Sequence, residues 1–116
     1  MNDYTATFDT TTVLGAVEEI FKILRNKYIG AIIVFVIPHK HNRTGSRWEE
    51  ILDGIRNACD KWSIGVLDMD RDGELNARIV DMREDYTDQG GTHPTTLGIR
   101  KYYLPKLIGL LNNYFI

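Results

Sequence analysis

His93 is the residue of this sequence whose type and setting best suit chemistry. It lies in the segment Gly90-Gly91-Thr92-His93-Pro94-Thr95-Thr96-Leu97-Gly98. A proline fixes its own φ at about −65° and biases the residue before it toward an extended backbone, so we expect His93 in a loop just ahead of a helix. Imidazole groups titrate close to neutral pH, and His93 is therefore a candidate general base. The alternative is a surface histidine that merely precedes a helix.

The sequence offers no recognisable serine nucleophile. Its only serines are Ser46 and Ser63. Ser46 begins a Ser-Arg-Trp-Glu capping box with Glu49, and Ser63 opens a predicted strand. Neither lies in a GxSxG pattern, which places a catalytic serine on a tight turn between strand and helix.

Two further clusters resemble metal sites, and both are incomplete. The segment Asp68-Met69-Asp70-Arg71-Asp72-Gly73 matches the first half of a calcium loop, but Ile79 stands where the last, bidentate glutamate is needed. We therefore expect a solvated turn. His39 and His41 flank Lys40 just past a strand end, where the ligand crevice of an open α/β sheet lies, so contact with a substrate is one alternative. No third ligand for zinc is nearby, and we expect a surface loop. No metal and no cofactor are predicted.

Composition narrows the class of protein. The chain has 116 residues, of which 43% are hydrophobic and 26% charged, and a net charge of −2, as in an ordinary globular domain. No basic stripe suggests nucleic acid, and the longest apolar run, Ala31 to Ile37, is too short to cross a bilayer. The polar start Met1-Asn2-Asp3-Tyr4 is unlike a signal peptide, and the compartment stays unassigned. Cys59 is the single cysteine, expected as a packed thiol.

Apolar spacing predicts an α/β protein with three main helices and two strands. The strand Ala31 to Ile37 is a continuous β-branched run, typical of a strand buried on both faces of a parallel sheet. Strand, helix and strand in succession predict a right-handed parallel βαβ unit. The predicted helices cover residues 9–28, 46–62 and 95–114, the last kinked at Pro105, with a short one near 76–82; the second strand covers 63–69. The cap of the first helix is Asp9 or one of the threonines at positions 10 to 12. Two strands are few for an α/β domain, so the chain reads as the second half of one.

In this order of elements, two motifs resemble the SGNH (GDSL-like) hydrolase family. Asn2-Asp3-Tyr4 looks like the end of its GxND block, and Gly91-Thr92-His93-Pro94 with Gly98 looks like its DGxHPxxxG block. The resemblance covers nearly the whole chain. It implies a partial flavodoxin-like three-layer α/β/α fold, a parallel sheet without its N-terminal strands, and one incomplete domain over residues 1–116.

The resemblance also implies roles. His93 would be the general base, and Asn2 would donate its side-chain amide to the oxyanion hole. The family's acid lies three residues before the histidine, where this chain has Gly90, so Asp88 is the candidate that orients His93. The family's GDS serine block precedes the asparagine and is absent here. The implied function is a truncated serine esterase whose parent hydrolyses small esters or O-acetylated glycans.

Two other functions stay open at this point. An inactive half-domain would act as a structural module, and a flavodoxin-like module would bind a small ligand, although no glycine-rich phosphate loop supports the latter. Without its neighbour the strand Ala31 to Ile37 is an uncharged edge, and we predict that the chain forms homo-oligomers through it. Neither nucleic acid nor a membrane is predicted as a partner.

Overall fold

A computed structural model describes residues 12–42, 46–88 and 90–115 of the chain. The elements follow the order α1 (Val13–Lys27), β1 (Val34–Ile37), α2 (Ser46–Lys61), β2 (Gly65–Asp68), α3 (Val80–Tyr86), α4 (Thr96–Gly98), a π-helical turn (Ile99–Tyr103) and α5 (Leu104–Asn112). They divide into two compact units. Unit 1 comprises Met1–Phe35 with Gly45–Val66, and unit 2 comprises Val36–Thr44 with Leu67–Ile116. The α/β class predicted from the sequence is confirmed.

Unit 1 is built around the packing of α1 on α2. The Thr12 hydroxyl accepts the Gly15 N–H at 3.0 Å and caps α1, one of the caps that the sequence predicts. Phe21 on α1 is 3% exposed and meets Phe35 edge to face at 5.5 Å. On α2 the apolar stripe predicted from helical spacing is buried, with Leu52, Ile55, Ala58 and Cys59 among its members. The glutamate-serine capping box at the start of α2 stays a prediction, because the Ser46 side chain is outside the described residues.

The two strands form a two-stranded parallel sheet. Gly65 N–H donates to Ile33 O at 2.8 Å, and Met69 N–H donates to Ile37 O at 3.0 Å, as in a parallel pair. The prediction that β1 is buried on both faces is wrong, because Val36 is 40% exposed. Among the described residues only one strand lies beside β1, so the other edge of this short strand has no strand partner there.

Unit 2 has its own apolar core, which consists of Ile37, Leu67, Met69, Leu75 and Ala77. The disturbance predicted at Pro105 takes the form of the π-helical turn, in which Leu104 N–H donates to Ile99 O, five residues back. Proline has no N–H, and its ring collides with the carbonyl four residues earlier in a regular helix. A widened turn immediately before Pro105 removes that conflict.

The short helix lies later than predicted. The sequence favours residues 76–82, but α3 begins at Val80. Asn76 instead forms a parallel bridge with Lys40, and Ala77 N–H donates to Lys40 O at 2.7 Å. The Asn76 side chain also accepts the Arg78 N–H at 3.0 Å, a local turn that competes with helix. The pairing with residue 40 is remote in sequence, so helical spacing alone does not reveal it.

Candidate functional site

The loop that carries His93 joins α3 to α4, and its two arms pair with each other. Thr87 and Pro94 form an antiparallel bridge, and Asp88 N–H donates to His93 O at 2.8 Å. At the base of the loop Thr95 N–H donates to Tyr86 O at 2.9 Å. Backbone hydrogen bonds between the two arms therefore fix the position of the His93 backbone in the loop.

Gly91 makes the sharp turn at the tip of this loop. Its φ is +76°, in the left-handed region that side chains with a Cβ rarely adopt. An added Cβ would lie 3.0 Å from Ala77 Cβ and 3.1 Å from Arg83 Cδ. The Gly90-Gly91 pair of the sequence thus has a local purpose, since it lets the chain reverse close to its neighbours.

Asp88 and His93 belong to the same small loop. The Asp88 carboxylate accepts the Thr92 N–H at 2.9 Å. Burial acts to raise the pKa of Asp88, but N–H groups of His93, Thr92 and Gly91 and the charge of His93 outweigh it, so the pKa is lowered. Asp88 is therefore held ionised beside an exposed His93. That it orients the imidazole stays a prediction, and Asn2, the predicted oxyanion donor, lies outside the described residues.

The prediction that His39 lies in a surface loop is wrong, because His39 is only 1% exposed and follows the carboxyl end of β1. Its Nε2 lies 2.8 Å from Gly91 O, and its Nδ1 lies 2.6 Å from Tyr103 Oη. A carbonyl can only accept, so Nε2 carries the proton and donates to Gly91. Nδ1 then accepts the Tyr103 hydroxyl, which in turn accepts the His39 N–H at 2.8 Å. His39 thus links the Gly91 turn of the His93 loop to the π-helical turn.

Sequence reasoning missed Tyr103 altogether. Burial raises its pKa, although the hydrogen bond from His39 N–H acts to lower it, so the phenol keeps its proton and can donate. Tyr103 and His39 are 64 residues apart, and no local pattern joins them. The available signal was the position of His39 directly after a strand and a proline, where the ligand crevice of a parallel sheet opens. His41, also predicted to be on the surface, is 7% exposed.

We predicted a solvated turn for the segment that resembles a calcium loop, and this turn is solvated only in part: Arg71 and Asp72 are exposed, but the first two acidic residues are buried. Asp68 and Asp70 are each 7% exposed. Asp68 Oδ1 accepts the Arg71 N–H at 2.9 Å, and Asp70 pairs with Lys40 at 3.6 Å. Both carboxylates therefore stabilise the exit from β2. Across residues 12–42, 46–88 and 90–115, no three His, Cys, Asp or Glu side chains are grouped as metal ligands.

Cys59 is a packed thiol, as predicted. It is 1% exposed, and burial raises its pKa to about 11. A thiol in this state is a poor nucleophile at neutral pH. None of the helices in the part of the chain that the structure describes is long and apolar enough to cross a membrane.

Comparison with known proteins shows a similar fold and no named family. No protein-family model matches the sequence, and no curated protein matches it. A protein from Lactobacillus plantarum solved by the Northeast Structural Genomics consortium superposes with a TM-score of 0.85 at 19% identity, over 96% of this chain and 58% of that one. A second solved structure gives 0.77 at 17% identity, over 92% of this chain and 54% of that one.

The chain thus spans somewhat more than half the length of the two solved chains. Identities below one fifth show similarity of fold alone. The chain adopts an α/β arrangement that recurs within longer proteins.

Proposed function

We propose that this chain is the C-terminal part of an SGNH-type serine esterase with a flavodoxin-like fold, and that His93 is its general base. The observation that carries the proposal is the α3–α4 loop, in which an exposed His93 stands beside an ionised Asp88 on a backbone fixed by hydrogen bonds. A base must reach the proton that it abstracts, and an exposed imidazole on a fixed loop meets that geometric need. Its substrate would be a small ester or an O-acetylated glycan.

The chemistry follows from the roles of the two residues. His93 would take the proton of a serine hydroxyl as that oxygen attacks an ester carbonyl, and would return it to the leaving alcohol. Asp88 would stabilise the imidazolium that forms. Asn2 would donate to the oxyanion, a contribution of about 3–4 kcal/mol to transition-state stabilisation in comparable sites. The serine itself is not among Ser46 and Ser63, and the proposal assigns it to sequence that precedes Met1 in the gene.

The test begins with the coding sequence upstream of Met1. The proposal expects an in-frame segment with a GDS serine block, and an in-frame stop codon there would overturn it. The product of the complete reading frame is then assayed for hydrolysis of p-nitrophenyl acetate. We expect His93→Ala to lower kcat/KM by about 10²–10⁴-fold, the usual contribution of a general base. Equal rates for the native and His93→Ala proteins would show that His93 is not the base.

A second candidate function is a structural module that self-associates through Ala31 to Ile37. The observation that favours it is the exposure of apolar side chains on and before β1: Ile29 is 81% exposed, Ile32 53% and Val36 40%. Exposed strand edges pair readily with a second copy of the same chain.

Sedimentation equilibrium tests this second function. We expect a dimer that Val36→Lys converts to monomer, because the new charge would be desolvated in the interface. Ile108→Lys is the matched control, since Ile108 is 50% exposed on α5. A native monomer at high concentration, or equal effects of the two variants, would reject the module.

A further inference from the structure

The start of α5 borders a groove of about 240 Å³ in unit 2, which the proposed chemistry does not use. It is lined by Glu74, Lys101, Tyr102, Pro105 and Lys106. Drug-sized ligands occupy pockets of about 300–1,000 Å³, so this groove suits a single small ring. Its walls combine flat apolar rings with charged groups of both signs.

Lys101 is held in position within this groove. Its Nζ donates to the Tyr86 hydroxyl at 2.9 Å, and it stands over the rings of Tyr86 and Tyr102 at 4.8 and 5.4 Å. The two rings meet edge to face at 5.1 Å. An exposed lysine ordinarily samples many rotamers, and these contacts reduce that freedom. Because both partners are neutral, they position the ammonium group without cancelling its charge.

The backbone of the groove is also unusual. Lys101 and Tyr102 lie in the π-helical turn, and Pro105 and Lys106 follow in the first turn of α5. Single π-helical turns within α-helices occur frequently at functional sites. Tyr86, which contacts Lys101, also adjoins the His93 loop, because its carbonyl oxygen accepts the Thr95 N–H at 2.9 Å. A ligand in the groove would therefore lie close in the chain fold to the α3–α4 loop.

We propose that this groove binds a sugar that carries a carboxylate, such as a hexuronic acid unit. The Tyr102 and Pro105 rings offer a flat apolar surface for the C–H face of a pyranose. Lys101 and Lys106 supply donors for the carboxylate, and Glu74 accepts sugar hydroxyls. Two ammonium groups against one carboxylate favour a monoanion, whereas Glu74 opposes a doubly charged phosphate.

This inference makes the proposed function more specific, because it selects acidic glycans among the possible ester substrates. The interpretation of the groove as a substrate subsite rests on the proposed function. Binding itself requires no catalysis. It can therefore fail while the esterase proposal survives, and the reverse is equally possible.

The test is a titration of the ¹⁵N-labelled chain with sodium glucuronate, followed by amide chemical shifts. We expect saturable shifts at Lys101, Tyr102 and Lys106 with a millimolar Kd, and weaker binding of glucose, which lacks the carboxylate. Lys106→Gln should raise the Kd at least severalfold without disturbing the rest of the spectrum, because its side chain is exposed. Tyr102→Ala should raise it further. His93→Ala should leave it unchanged.

Lys27→Gln is the matched control, because Lys27 is likewise an exposed lysine beside a tyrosine ring but lies on α1. Its Kd for glucuronate should equal that of the native chain. Shifts that grow without saturation, an equal response to sodium acetate, or equal losses in Lys106→Gln and Lys27→Gln would overturn the proposal. The acetate result would mean that the groove attracts anions without recognising a sugar.

Discussion

Tyr103→Phe tests the link between His39 and the His93 loop most directly. The change removes one oxygen and keeps the ring, so packing against His39 at 5.9 Å between ring centroids is retained. The lost hydroxyl serves two groups of His39. It accepts the backbone N–H at 2.8 Å and donates to Nδ1 at 2.6 Å.

The expected loss of stability follows from the two groups left without a partner. A buried polar group that loses its hydrogen bond costs about 1–3 kcal/mol. His39 is 1% exposed, so both of its orphaned groups are buried, but Tyr103 is only half buried and water can reach part of the vacated space. We therefore expect a loss of about 2–3 kcal/mol. An unfolding entropy of about 2.1 cal/mol/K per residue converts this to a fall in Tm of about 8–12 °C.

Urea unfolding of the native and variant chains measures this loss. Tyr28→Phe is the control, because Tyr28 is 49% exposed and a surface change of this kind stays within about 0.5 kcal/mol. Long-range ¹H–¹⁵N spectra of the native chain should show His39 protonated on Nε2. If Tyr103→Phe is as stable as Tyr28→Phe, or if the proton is on Nδ1, the hydrogen-bond chain is wrong.

Three other predictions use substitutions or reagents whose effects the structure gives directly. Gly98→Ala would place a Cβ 2.2 Å from Tyr86 O, so urea unfolding should show a free energy of unfolding lower by about 1–3 kcal/mol. In the control Gly109→Ala the new Cβ has nothing within 4 Å, and the free energy of unfolding should rise by about 0.5–1 kcal/mol. Equal effects of the two variants would contradict the close approach at Gly98. Arg25→Met removes hydrogen bonds to three backbone carbonyls, at 2.8 to 3.0 Å, and should lower the free energy of unfolding by about 1–3 kcal/mol in the same assay. A variant as stable as the native chain would show that these hydrogen bonds do not contribute to stability. Cys59 should resist thiol reagents in the native chain and react on unfolding, because its pKa is about 11 in the fold; rapid native labelling would refute this.

Spacing along the sequence predicts the parts of this fold that depend on local hydrophobic pattern. In α1 and α2 the apolar residues recur every three to four positions, and each of these helices begins close to the polar residue predicted as its cap. The short parallel strands fall within the two predicted strand segments, Ala31 to Ile37 and residues 63–69. Burial of a strand's two faces, however, depends on which elements pack on them. Val36 is an apolar residue of the type that fills cores, yet it is 40% exposed, so the face of β1 on which it lies is not fully covered.

The errors at His39 and Asp70 share a physical cause. Polar residues clustered after a strand usually lie in solvent, and composition therefore favours a surface loop. Here their partners come from distant sequence: Tyr103 and Gly91 satisfy His39, while Lys40 satisfies Asp70. Burial of a polar group is favourable only when such partners exist, and a single sequence does not say which distant residues provide them.

The same long-range contacts bear on why an exposed histidine can have a defined position. Surface loops rich in glycine are usually mobile, and a general base on a mobile loop is poorly aimed. In this chain His93 remains exposed, while the turn beside it is fixed through the Gly91 carbonyl by His39, a fully buried residue. In the proposed esterase, the buried imidazole of His39 would therefore hold the loop in position, and the exposed imidazole of His93 would act as the base. On this argument a change at His39 or Tyr103 should loosen the loop without altering the proposed base His93. If the proposed esterase is correct, such a change should lower kcat of the product of the complete reading frame and leave its pH profile in place.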